Sequence, residues 1–82
     1  MKLERIPNAE ILEIDTIKKT IVYRTINTYD RDDNPIYDTD AYGDPMLHST
    51  DYLEELEEKL VSAIKGQETI SLLLEDGKIK EL

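Results

Sequence analysis

The chain has 82 residues, 39% apolar and 35% charged, with 19 Asp and Glu against 10 Lys and Arg for a net charge of −9. That length holds one domain, residues 1–82, with one small core and no second lobe to enclose a catalytic cleft. The absence of cysteine removes disulfides, thiolate metal sites and a thiol nucleophile. No apolar run exceeds three residues and residues 1–10 lack the apolar core of a leader, so the expectation is a soluble, cytoplasmic protein without membrane contact.

Residues 8–19 carry two periodicities. Leu12 and Ile14 would face inward on a strand, whereas Ile11, Ile14 and Ile17 recur at the spacing of a short helix; Ile beside Thr and Asp is a poor helix former, which favours strand. Residues 20–30 are rich in β-branched and aromatic side chains and read as a strand. Arg31-Asp32-Asp33-Asn34-Pro35 collects turn formers, and Ile36 to Tyr42 returns as a second strand until Gly43-Asp44-Pro45 ends it. Ser49-Thr50-Asp51 offers helix N-caps, with Asp51 favoured by Glu54 three places on. From Tyr52 to Lys65 the stripe Leu53, Leu56, Leu60 and Ile64 marks an amphipathic helix, and Gly66 supplies a left-handed C-cap. Residues 69–82 form a hairpin around Asp76-Gly77 that pairs Glu75 with Lys78 and puts Ile70, Leu72, Leu74 and Ile79 on one face. The expected fold class is α+β: a small antiparallel sheet of about five strands, in the order β-β-β-α-β-β, with the helix packed on one face against those four residues.

The charge is concentrated. Residues 30–58 hold eleven acids against the single base Arg31, and the flanking segments are close to neutral. An acidic face of this density favours a basic protein surface or a divalent cation and repels nucleic acid. Catalysis has little support: His48 is the only histidine, and its place beside a helix start suits a surface or capping role. Carboxylates at a solvated hairpin tip lack the burial that raises a general acid's pKa, and three glycines make no phosphate loop.

Calcium is an alternative. Asp30-x-Asp32-x-Asn34 opens like an EF-hand loop, but Pro35 stands where glycine is needed and Ala41 where the bidentate Glu belongs. The later register, Asp38-x-Asp40-x-Tyr42-Gly43, restores the glycine and fails at Tyr42 and Ser49.

Acids interleaved with tyrosines form the stronger pattern. Tyr29, Tyr37, Tyr42 and Tyr52 lie in or beside the acidic segment of a chain without Phe or Trp, and tyrosine is enriched among interface hot spots. On the second strand Asp38 and Asp40 would stand about 6.7 Å apart on one face. Continued by Glu54, Glu55 and Glu58, they would resemble a row of phosphates. The expected contact residues are Asp30, Asp32, Asp33, Tyr37, Asp38, Asp40, Tyr42, Asp44, Glu54, Glu55 and Glu58, with no catalytic residue, no metal ligand and no cofactor. In composition the chain resembles small phage-encoded inhibitors of restriction or other defence nucleases, including nucleic-acid mimics. The function expected is a non-catalytic binding module or inhibitor that engages a basic, nucleic-acid-binding protein such as a nuclease. A structural or assembly subunit that self-associates through outward Leu73 and Leu82 is a further alternative.

Overall fold

In the computed structural model, which describes residues 2–82, the ambiguous N-terminal segment is part of a long strand, β1 (Leu3–Asp15). It pairs with two partners in turn. Leu3 to Glu10 run antiparallel to β5 (Thr69–Glu75), and Ala9 to Asp15 run antiparallel to β2 (Thr20–Tyr29). A one-residue excess on β1 interrupts each ladder, at Pro7-Asn8 opposite β5 and at Leu12 opposite β2. Pro7 lacks an N–H and is tolerated at such a bulge; each bulge bends and twists the strand, which lets one strand curl from one partner to the next.

The bulges account for the mixed periodicity. The side chains of β1 that reach the core are Ile6, Ala9, Ile11 and Ile14, spaced three, two and three apart. Leu12, expected inward, occupies a bulge and is 39% exposed. An extra residue in a period-two strand imitates a helical interval.

After β2 come β3 (Pro35–Tyr37), β4 (His48–Tyr52), a 3-10 turn at Glu54–Leu56, helix α1 (Glu57–Gly66), β5 and β6 (Lys78–Glu81). The pairings close a circuit: β1 with β2, β2 with β4, β4 with β6, β6 with β5, and β5 with β1. The β4–β6 pair is parallel and β3 extends β2 outside the circuit. The expected antiparallel sheet of about five strands is therefore a mixed sheet of six, curled upon itself. The α+β class and the single helix stand.

Two boundaries differ for physical reasons. The segment taken for a helix cap is strand β4: Thr20 pairs with Asp51 on one side and Lys78 pairs with it on the other. Two ladders outweigh a side-chain cap worth about 1 kcal/mol. The helix begins later, without a side-chain cap hydrogen bond, and its left-handed C-cap is Gln67 (φ 52°), one residue past Gly66. The second correction is the strand expected over 36–42, which stops at Tyr37 because the chain turns back on itself at Asp40–Asp44.

The terminal hairpin forms as expected, with Glu75 opposite Lys78 and both Asp76 (φ 51°) and Gly77 (φ 81°) in the left-handed region its turn requires. Ala9, Ile11, Ile21, Tyr23, Tyr52, Leu60, Leu72, Leu74 and Ile79 make the core, and Leu56, Ile64 and Ile70 pack against it. The helix packs against β1 rather than across the β5–β6 hairpin. Beyond Glu10 β1 has run past the start of β5, and α1, which leads into β5, covers the seam.

Candidate binding site at the barrel mouth

Residues 30–47 leave the circuit between β2 and β4 and carry six of the expected contact acids. Their shape is set by hydrogen bonds among themselves. Asp30 Oδ1 accepts the backbone N–H groups of Asp32 and Asn34, both at 2.9 Å. The Asn34 N–H bond holds the Asp30 carboxyl below its ordinary range against the opposing effect of desolvation, and the Asp32 N–H adds to it. Asp40 Oδ1 accepts the N–H groups of Tyr42 at 2.8 Å and Asp44 at 3.2 Å, and Gly43 (φ 84°) makes the turn inside that clasp. Asp38 donates its N–H to the Thr25 carbonyl at 3.0 Å and takes the Thr25 hydroxyl on its carboxylate, which fastens the excursion to β2.

The eleven expected contact residues thus divide. Asp30, Asp38 and Asp40 shape the loop, and Asp32, Asp33 and Asp44 are exposed with no hydrogen bond to their carboxylates among the described residues. Tyr42 is 91% exposed. Asp38 and Asp40 do not form a carboxylate ladder, since neither is on a strand. Glu54, Glu55 and Glu58 lie elsewhere: Lys19, which precedes β2, pairs with Glu57 at 2.8 Å and Glu54 at 3.6 Å. Asp30 follows the other end of β2, and ten residues of strand put about 30 Å of chain between the two acidic groups. Tyr52, grouped with the interface tyrosines by sequence, is buried in the core.

Tyr37 has an internal role. Its hydroxyl donates to Glu10 Oε2 at 2.6 Å, Arg24 Nη2 donates to Glu10 Oε1 at 2.7 Å and to the Tyr37 oxygen at 3.0 Å, and the guanidinium lies 3.8 Å from the Tyr37 ring centre. Glu10 and Arg24 are direct partners across β1 and β2, so the triad bolts β3 to the barrel wall. Burial pushes the Glu10 carboxyl up, and the hydrogen bonds from Tyr37 and Arg24 outweigh it and leave it lowered.

The concave feature nearest the excursion was not visible in sequence. Pairing of β1 with β2 ends at Ala9 and Thr25, and beyond that point the two strands splay. Between them opens a groove of about 800 Å³, lined by Glu4 and Ile6 of β1, Tyr23, Thr25 and Asn27 of β2, residues 36–39, Met46 and His48. His48 stacks on Tyr23 with ring centres 5.1 Å apart and 24° between planes. Tyr23 is 4% exposed, and its hydroxyl has no hydrogen-bond partner among the described residues. Burial raises its pKa, and the nearby Glu4 charge adds to that. No Lys or Arg lines the groove among the described residues. Sequence reasoning missed Glu4 and Tyr23 because the groove joins elements far apart in the chain. It gave His48 a surface or capping role that its stacking on Tyr23 replaces.

Among the described residues no three His, Cys, Asp or Glu side chains converge as a cation site would require. Asp30 and Asp40 each turn one carboxylate oxygen onto the backbone of their own turn. Leu73 is half-buried, and Leu82, which follows the partner of Leu73 on β6, is 38% exposed and borders a groove beside α1. No helix of the described residues is long and apolar enough to cross a membrane. No family model, no curated protein and no solved structure matches the chain.

Proposed function

We propose that the chain is a non-catalytic binding module that engages a basic protein surface through its 30–47 excursion, blocking or titrating a nucleic-acid-binding partner. The observation that supports this reading is a projection that is at once exposed, anionic and internally hydrogen-bonded. Loops that bind through preset geometry lose less entropy on association, and Asp30 and Asp40 supply that geometry while Asp32, Asp33, Asp44 and Tyr42 face outward. The ribbon that would have spaced Asp38 and Asp40 as a ladder of phosphate-like charges ends at Tyr37, so the excursion presents its acids from turns.

The connectivity offers a fold-level analogy. A closed circuit of five strands with its helix between the third and fourth resembles the five-stranded Greek-key barrels that bind oligonucleotides or oligosaccharides on the face of their second and third strands. Here β2 and β4 flank the excursion at the corresponding place, and its charge is of the sign that repels a nucleic acid. Fold alone assigns no function. The analogy supports only the location of a binding face.

The test is affinity capture from cell extract at low and high salt, with bound proteins identified by mass spectrometry. The wild-type chain is expected to retain basic proteins at low salt, and reversal of Asp32, Asp33 and Asp44 to Lys is expected to release them. Retention of the same proteins by the reversed variant would sink the reading.

A further inference from the structure

We propose that the edge of β1 turned away from β5 is a docking site for an extended basic segment of a partner protein, which adds to the sheet as an antiparallel strand beside residues 3–6. The inference rests on the reading of the chain as a binder of basic proteins, and adds to it a second contact, made by backbone rather than by the exposed acids of the excursion.

The edge is open by register. Among the described residues β5 is the only strand paired with Leu3 to Ile6, because the pairing of β1 with β2 ends at Ala9. The Asp76 N–H donates to the Lys2 carbonyl at 2.8 Å, so the backbone of Lys2 faces β5, and the alternation of a strand turns the N–H and C=O groups of Leu3 and Arg5 the other way. Pro7 comes next on that side, where its missing N–H costs no bond, and Leu3, Glu4, Arg5 and Pro7 are all exposed. An unpaired strand edge is a template on which another chain can extend the sheet.

A second, independent observation sets the chemistry of the occupant. Glu4 and Ile6 alternate with Leu3 and Arg5 and line the groove between β1 and β2, so an added strand turns every second side chain into that groove. A side chain opposite Glu4 enters a space that holds Asp38 as well and no cation among the described residues; one opposite Ile6 finds the exposed Ile36 and Met46 lining the same groove. A basic residue two places from an apolar one fits both. A second copy of this chain is the poorer occupant: it brings the same net charge of −9, and a two-fold centred on Glu4 or on Arg5 sets like charges directly opposite each other.

The experiment is an NMR titration of the isotope-labelled full chain with the peptide acetyl-Thr-Val-Thr-Lys-Thr-amide. Antiparallel pairing sets its Val opposite Ile6 and its Lys opposite Glu4, and aims the N–H groups of its third and fifth residues at Arg5 and Leu3. Saturable shifts and slowed solvent exchange are expected at the amides of Leu3 and Arg5. A counterpart N-methylated at the third and fifth residues is expected to bind about tenfold or more weakly, for the loss of two backbone hydrogen bonds, and one with Glu in place of Lys about threefold or more weakly. Arg5→Pro removes a donor that faces away from β5 and also a positive charge, so simple attraction of a basic peptide would rise, whereas pairing at the edge is expected to fall by about tenfold. Absence of saturable shifts, equal binding of the N-methylated or the Glu peptide, unchanged affinity in a folded Arg5→Pro, or protection of Leu3 and Arg5 that grows with protein concentration alone would each overturn the proposal; the N-methyl comparison decides without Arg5→Pro if that variant does not fold. The two readings fail separately: a silent edge with salt-sensitive capture intact removes only the added strand, and a working edge without that capture removes only the excursion.

Discussion

Tyr52→Phe and Tyr23→Phe delete the same atom from two tyrosines that are both buried in the core, and the structure expects opposite outcomes. Tyr52 is 1% exposed and its hydroxyl donates to Glu57 Oε1 at 2.7 Å; the same oxygen receives Lys19 Nζ at 2.8 Å. Loss of a hydrogen bond to a charged acceptor costs about 1.5–3 kcal/mol, and because Lys19 still holds Glu57 the lower part of that range, about 2 kcal/mol, applies. For a domain of roughly 60–100 residues each kcal/mol moves the midpoint by about 4–8 °C, so Tyr52→Phe should melt about 8–16 °C below wild type. Tyr23→Phe loses no hydrogen bond and should melt within about 2 °C of wild type or above it. Thermal melts followed by far-ultraviolet circular dichroism, backed by urea titration, distinguish the cases. Tyr52→Phe melting with the wild type, or both variants falling together, would refute the reasoning.

Leu60→Ala should cost about 2–5 kcal/mol, since Leu60 is fully buried in the core; an unmoved urea midpoint would contradict that packing. The lowered pKa of Glu10 means that its ionised form favours the fold, so its contribution is present above the ordinary carboxylate range and is lost as pH falls through the folded value. Urea titrations should therefore show Glu10→Gln clearly destabilised at neutral pH and converging on wild type in acid. The Tyr52 hydroxyl is pushed up to about 12, chiefly by burial and then by its bond to Glu57. Its neutral form favours the fold, so that stability is complete below the ordinary tyrosine value and is lost as pH rises through the folded one; phenolate absorbance should show a late step that Tyr52→Phe abolishes. A micromolar calcium site would add about 4 kcal/mol at roughly 1 mM metal, and the absence of convergent ligands predicts no shift in the melt.

The parts of the fold written in local chemistry were legible. Asp76-Gly77 specifies its turn, the run from Ile21 to Tyr29 can only be strand, and the leucine stripe around Leu60 marks the helix. What sequence could not supply was pairing between distant segments. Ser49-Thr50-Asp51 carries a valid capping signal that is overridden because Thr20 and Lys78 come to lie on either side of Asp51. The interval between Ile11 and Ile14 looks helical because Leu12 is bulged, and a bulge is set by the partner strand. At the candidate site, the density of Asp in residues 30–44 reads as the tip of a long hairpin, whereas the chain there leaves the strand circuit after the short β3. It did not reveal which carboxylates close turns, because Asp favours turns and charges surfaces equally well. The groove drew on four elements and was invisible to a reading along the chain.

The double pairing of β1 also has a kinetic consequence. Leu3 pairs with Glu75, and the backbone groups of Lys2 and Asp76 exchange a further contact. The first strand therefore waits for nearly the whole sequence before its outer edge is satisfied. Such long-range closure belongs to the slow, millisecond-to-second class of small-domain folding. During synthesis β1 and β2 can pair as soon as both have emerged, leaving residues 3–8 as an open strand edge until β5 arrives. Pro7, on that waiting edge, cannot donate to a wrong neighbour. Replacing it with a residue that can would change little in the finished barrel and much in the fate of the unfinished one.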